Sequence, residues 1–97
     1  MNQQICDAIR NRCVLSCTYD GHHRVIEPHA YGLSRKRKEV IRCYQTGGTS
    51  RSHKVPGWRL MEVGKIMFLA VTQEHFEGER DGYARGDKGM STIFVEL

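Results

Sequence analysis

Apolar residues at Ile5, Ala8, Ile9 and Cys13 recur three and four positions apart, which predicts a short amphipathic helix at the start of the chain. Asn2 stands where an N-cap belongs, and Asp7 falls in the early, dipole-positive turns. Arg10 and Arg12 lie off the stripe, near the C-terminal end, where positive charge is favoured. The period then changes to two. Cys13, Leu15, Cys17 and Tyr19 share one face, and Val14, Ser16 and Thr18 the other, as in a half-buried strand. Asp20-Gly21 follows at once, a two-residue hairpin signal, because glycine adopts positive φ without a steric penalty.

A return strand from about His22 to Ile26 meets Pro28, which cannot donate to a ladder and so predicts an edge, a bulge or a bend. Ala30-Tyr31-Gly32-Leu33 leads to a basic turn, Arg35-Lys36-Arg37-Lys38. A further strand over residues 39–45 runs into Thr46-Gly47-Gly48-Thr49-Ser50, a flexible tip, and Pro56-Gly57 closes that loop. Residues 58–63 predict the next strand and Gly64-Lys65 a break. Residues 66–72 are so apolar that a strand buried on both sides is expected. After a polar, glycine-rich stretch over 75–89, Ile93-Phe94-Val95 offers a last short strand. One helix and five or six short strands predict a mostly β fold: a small, partly closed barrel of about five strands, with the helix over one opening.

At 97 residues the chain suits one domain with one modest core. With 39% hydrophobic and 27% charged residues it reads as globular rather than disordered. No apolar run approaches the roughly 20 residues of a membrane helix, and the first residues lack the pattern of a secretory signal. Cys6, Cys13, Cys17 and Cys43 each sit within an apolar-periodic stretch, so they read as reduced thiols of a cytoplasmic protein rather than a disulfide framework. Charge is uneven. Residues 1–60 carry eleven Lys/Arg against four Asp/Glu, whereas residues 61–97 carry four against seven. A basic body with an acidic tail points to an anionic partner, or to a protein partner that reads both signs.

Catalytic and metal chemistry find little support in the spacing. There is no C-x2-C pair, and the adjacent His22 and His23 would point to opposite faces of a strand, so no metal site and no cofactor is expected. The Thr46–Ser50 stretch lacks the lysine and the strand-to-helix context of a phosphate-binding loop. Carboxylates are scarce before residue 60, and no catalytic residue is assigned. More informative are polar groups in or beside strands: Arg24, His29, Tyr31, Arg42, Tyr44 and Arg59, with Glu27 beside Pro28. Guanidinium forks next to aromatic faces suit phosphates and stacked bases.

The same residues carry a resemblance. Ala8-Ile9-Arg10-Asn11-Arg12, the strand to Tyr19-Asp20-Gly21, and Arg24-Val25-Ile26-Glu27-Pro28-His29 resemble the opening of a WYL domain. The stretch from Trp58 to Ile66 is similar to that family's closing, arginine-containing strand, so the likeness spans about residues 5–75. The family's naming tripeptide falls at Glu39-Val40-Ile41, which keeps two apolar positions and lacks the tryptophan. The resemblance implies an Sm- or SH3-like barrel over residues 1–75, with a C-terminal extension, 76–97, packing on the same domain. It also implies a binding module of bacterial transcription regulation or defence, without enzyme activity. The expected ligand is single-stranded nucleic acid or a nucleotide, and Arg24, His29, Tyr31, Arg42 and Arg59 carry over by position. A protein–protein adaptor, or a small barrel pairing with its own twin as a homodimer, is the alternative expectation.

Overall fold

In the computed structural model, which describes residues 1–51 and 53–97, a single helix is followed by six antiparallel strands. Helix α1 (Gln3–Arg10) starts where the sequence predicts, with Asn2 Oδ1 accepting the Ile5 N–H at 3.1 Å. It buries Ile5, Cys6, Ala8 and Ile9. Eight residues do not hold a helix alone. Complete burial of Ile5 and Ile9, worth roughly 1.5–3 kcal/mol each, docks it on the sheet. Arg12, at φ 53°, turns the chain out of the helix, so Cys13 opens a strand rather than closing the helix.

Strands β1 (Cys13–Tyr19) and β2 (His22–Leu33) form the expected hairpin, with Asp20 and Gly21 at φ 54° and 77°. Then follow β3 (Glu39–Gly48), β4 (Gly57–Glu62), a 3-10 turn (Val63–Lys65), β5 (Ile66–His75) and β6 (Thr92–Glu96). The sheet order is β4-β3-β2-β1-β5, with β6 on the far half of β2. The fold is mostly β and the sheet is not closed, although Tyr19 Oη on β1 accepts the Glu62 N–H of β4 at 3.1 Å. Gly32 lets β6 approach: a Cβ there would meet the Thr92 carbonyl oxygen at 2.0 Å.

Two expectations change. The return strand does not stop near Ile26: β2 runs for twelve residues to Leu33, and the irregularity expected at Pro28 is a bulge between the Pro28↔Cys43 and Ala30↔Arg42 pairs. The apolar stretch of β5 is not buried on both sides. It pairs with β1 and lies at an edge, so Met67, Phe68 and Val71 are 57%, 78% and 44% exposed. An edge strand has a neighbour on one side only, and hydropathy does not report position in a sheet.

The core lies between α1 and the inner face, where Leu15, Cys17, Ile26, Tyr31, Ile41, Cys43 and Met61 meet the helix. All four cysteines are free thiols, and Cys6, Cys17 and Cys43 are buried. Burial pushes the Cys43 thiol up to about 12. No helix among the described residues is long and apolar enough to cross a membrane.

Candidate functional site

Strand alternation divides the polar positions of β2, β3 and β4 between two faces. Arg59 pairs with the core residue Cys43, and Arg24 with the core residue Cys17, so both guanidinium groups extend from the inner face. Arg42 and Tyr44 pair with Leu60 and Trp58 and stand on the outer face.

On the inner face, Arg24 and Arg59 are 4% and 8% exposed. Arg24 Nη1 donates to Gln45 Oε1 at 3.3 Å and to Ser50 Oγ at 3.5 Å. Gln45 presents that oxygen because its amide donates to the Gly47 and Thr49 carbonyls, both at 3.0 Å. The Arg24 guanidinium also lies over the Tyr19 ring, 5.3 Å from its centroid. Arg59 donates to the backbone carbonyls of Trp58 (2.9 Å) and Lys54 (2.8 Å). Neither arginine has a carboxylate partner among the described residues, and the Nε of each is buried without a hydrogen bond. Burial draws the Arg59 pKa below its ordinary value, and the nearby Arg24 charge draws it further. Two cations thus lie side by side in a buried setting, held by neutral hydrogen-bond acceptors and the Tyr19 ring but by no carboxylate among the described residues. They border a cleft of about 260 Å³, which Tyr19, Ser50, Arg51 and Trp58 also line.

The outer face has the opposite character: its charges are matched. Residues 76–91 cross it as a strap. Asp87 accepts from Arg42 Nε and Nη2 at 2.6 and 3.1 Å. That contact raises the Arg42 pKa and holds the Asp87 carboxyl below the usual range. Arg80 donates to both oxygens of Glu27 at 2.7 and 3.0 Å and lies 4.9 Å from the Tyr44 ring centroid. His29 is fully buried there, stacked on Phe76 and edge-on to Trp58. Its Nε2 accepts the Arg80 backbone N–H at 3.1 Å, which makes Nδ1 the protonated nitrogen, donating to the Glu27 carbonyl at 2.9 Å. Burial lowers the His29 pKa, and the Glu27 carbonyl opposes the shift.

The six candidate residues therefore separate. Arg24 and Arg59 share the inner cleft, while His29, Arg42 and Tyr44 lie under the strap. Tyr31 is in the core, where its hydroxyl accepts the Asn2 N–H at 2.7 Å and donates to Glu39, and burial pushes its pKa up to about 12. Ser50 and Tyr19 line the cleft and Gln45 backs Arg24, none of them among the candidate site residues of the sequence. Each reads as an ordinary strand or loop residue, and only pairing sets it beside Arg24. Among the described residues no group of three or more His, Cys, Asp or Glu side chains is placed to hold a metal ion. Neither a family model, nor a curated protein, nor a solved structure was found to match the chain.

Proposed function

We propose that this chain is a WYL-like binding module of the Sm/SH3 barrel type, which recognises an anionic ligand, single-stranded nucleic acid or a nucleotide, in transcription regulation or defence. The observation that carries this reading is the buried pair Arg24 and Arg59, without a carboxylate to balance it. A buried guanidinium with no carboxylate beside it is a place where an anion's charge contributes most, because the surroundings screen it least. The Tyr19 ring, which lies against the Arg24 guanidinium, adds an aromatic surface at the cleft wall. Two guanidinium groups hold an anion but supply neither a nucleophile nor a base at neutral pH, so the reading is of binding, not turnover. The four free thiols favour a reducing compartment, the cytoplasm.

The direct test is fluorescence anisotropy with short single- and double-stranded DNA and RNA across a salt series. Single-strand binding that weakens with salt, and that Arg24→Ala and Arg59→Ala both reduce, is the expected result. No binding at low salt, or unchanged affinity in both variants, overturns it.

A second reading, a protein adaptor or homodimer, is favoured by the exposed Met67, Phe68 and Val71 on the edge strand β5. Light scattering over a concentration series separates the two: a rising mass supports self-association, and a constant monomer mass removes it.

A further inference from the structure

Resting on the anionic-ligand reading, we infer that the group seated by Arg24 and Arg59 is a terminal phosphate monoester. It is borne by a mononucleotide or by the phosphorylated end of a strand, rather than being an internal phosphodiester. Charge is the first argument. Three arginines, Arg24, Arg51 and Arg59, face the cleft with one carboxylate, Asp20, and Arg51 is already tied to Asp20 at 3.4 Å. Arg24 and Arg59 thus remain as two uncompensated positive charges. A phosphate monoester carries about −1.5 to −2 at pH 7 and answers both. A phosphodiester carries one negative charge and leaves one buried cation unanswered.

Shape is the second argument. Three chain segments bound the cleft: the β1–β2 turn at Tyr19 and Asp20, the loop at Ser50 and Arg51, and β4 from Trp58 to Met61. Its volume, about 260 Å³, lies below the roughly 300–1,000 Å³ that encloses a whole drug-sized ligand. An internal phosphate brings a nucleotide on either side and needs a groove open at both ends. A terminal phosphate enters end-on.

The hydrogen bonds are the third. Arg59 is fixed by two backbone carbonyls and Arg24 by Gln45, so both charges are held in place before any ligand arrives. Ser50 Oγ accepts from Arg24, which leaves its own proton available to a phosphate oxygen at the cleft wall.

Calorimetric titration of the full chain tests this with four probes: inorganic phosphate, a nucleoside 5′-monophosphate, and a short oligothymidylate with and without a 5′-phosphate. The phosphorylated oligonucleotide is expected to bind about tenfold more tightly than its hydroxyl counterpart. Arg24→Met and Arg59→Met are expected to abolish that difference, with circular dichroism confirming that both variants fold. Equal affinity of the mononucleotide and the phosphorylated strand makes the small molecule the ligand, tighter strand binding makes it a strand end, and both support the inference. Equal binding of the two oligonucleotides overturns the monoester assignment and leaves the anionic-ligand reading standing. Failure of all four probes to bind overturns both. A phosphate preference that survives in both variants places the site elsewhere and overturns the inference.

Discussion

Asp87 grips Arg42 through two hydrogen bonds, of 2.6 and 3.1 Å, across 45 residues of sequence. The contact fastens the C-terminal strap to the centre of the sheet and occupies a guanidinium that would otherwise face solvent. Of the three mid-strand arginines, Arg42 is therefore answered by a carboxylate, and Arg24 and Arg59 are not.

A double-mutant cycle with Arg42→Ala and Asp87→Ala is expected to give a coupling of about 1–2 kcal/mol in urea unfolding. The value sits below that of a fully buried pair because the Arg42 side chain is 29% exposed. Additive single effects would remove the latch. The Asp87 pKa is depressed in the folded chain, so this stabilisation is present above the ordinary carboxylate range and lost as pH falls through the folded value.

Buried His29 gives a separate pH dependence at higher pH. Its folded pKa is lowered, so neutral His29 contributes its stability above the unfolded value of about 6.5, and that stability is lost as pH falls towards the folded pKa. Protonation would set an Nε2–H against the Arg80 backbone N–H, beside the Arg80 guanidinium, with the Glu27 and Glu79 carboxylates partly offsetting it. Unfolding free energies from urea titrations between pH 7 and about 5 are expected to fall with a slope of up to about 1.4 kcal/mol per pH unit. His29→Gln, which can still accept the Arg80 N–H, is expected to flatten that slope. An unchanged slope in the variant would assign the titration to another group.

Binding and stability are expected to pull apart at Arg59. Replacing this unpaired buried cation with methionine removes a desolvation cost, so Arg59→Met should leave the urea midpoint unchanged or raise it while anion affinity falls. A loss of more than about 2 kcal/mol would show that the hydrogen bonds to Trp58 and Lys54 outweigh the charge.

Phe68 holds the left-handed backbone region, at φ 54°, in a bulge of β5 where two residues face Cys17. With its side chain mostly exposed, little packing is at stake. Phe68→Gly should be more stable than Phe68→Ala by about 1 kcal/mol, because only the alanine keeps a Cβ at positive φ. Equal stabilities would mean that the bulge relaxes without the aromatic side chain.

Local chemistry was legible in the sequence. The Asn2 cap, the period-two stretch from Cys13 to Tyr19 and the Asp20-Gly21 turn all rest on neighbours a few residues apart, and each is present in the structure. The arginine and aromatic residues between 24 and 59 stood out in the same way as polar groups within strands. Their division was not. Arg24, Arg42 and Arg59 look alike as mid-strand cations, yet pairing turns the first and last into the core and the middle one under Asp87.

Sequence alone determined the helix, the strands, the first hairpin and the charge imbalance, because these follow from spacing and composition. Tertiary structure decided which face each side chain takes. The bulge at His29 breaks the alternation of β2, so that His29 and Ala30 lie on the outer side and Tyr31 returns to the core. It also set the strap over His29, Arg42 and Tyr44 and left β5 at an edge with its apolar residues uncovered. A one-residue shift in a strand costs little locally but exchanges its two faces, and only the packed sheet selects between them.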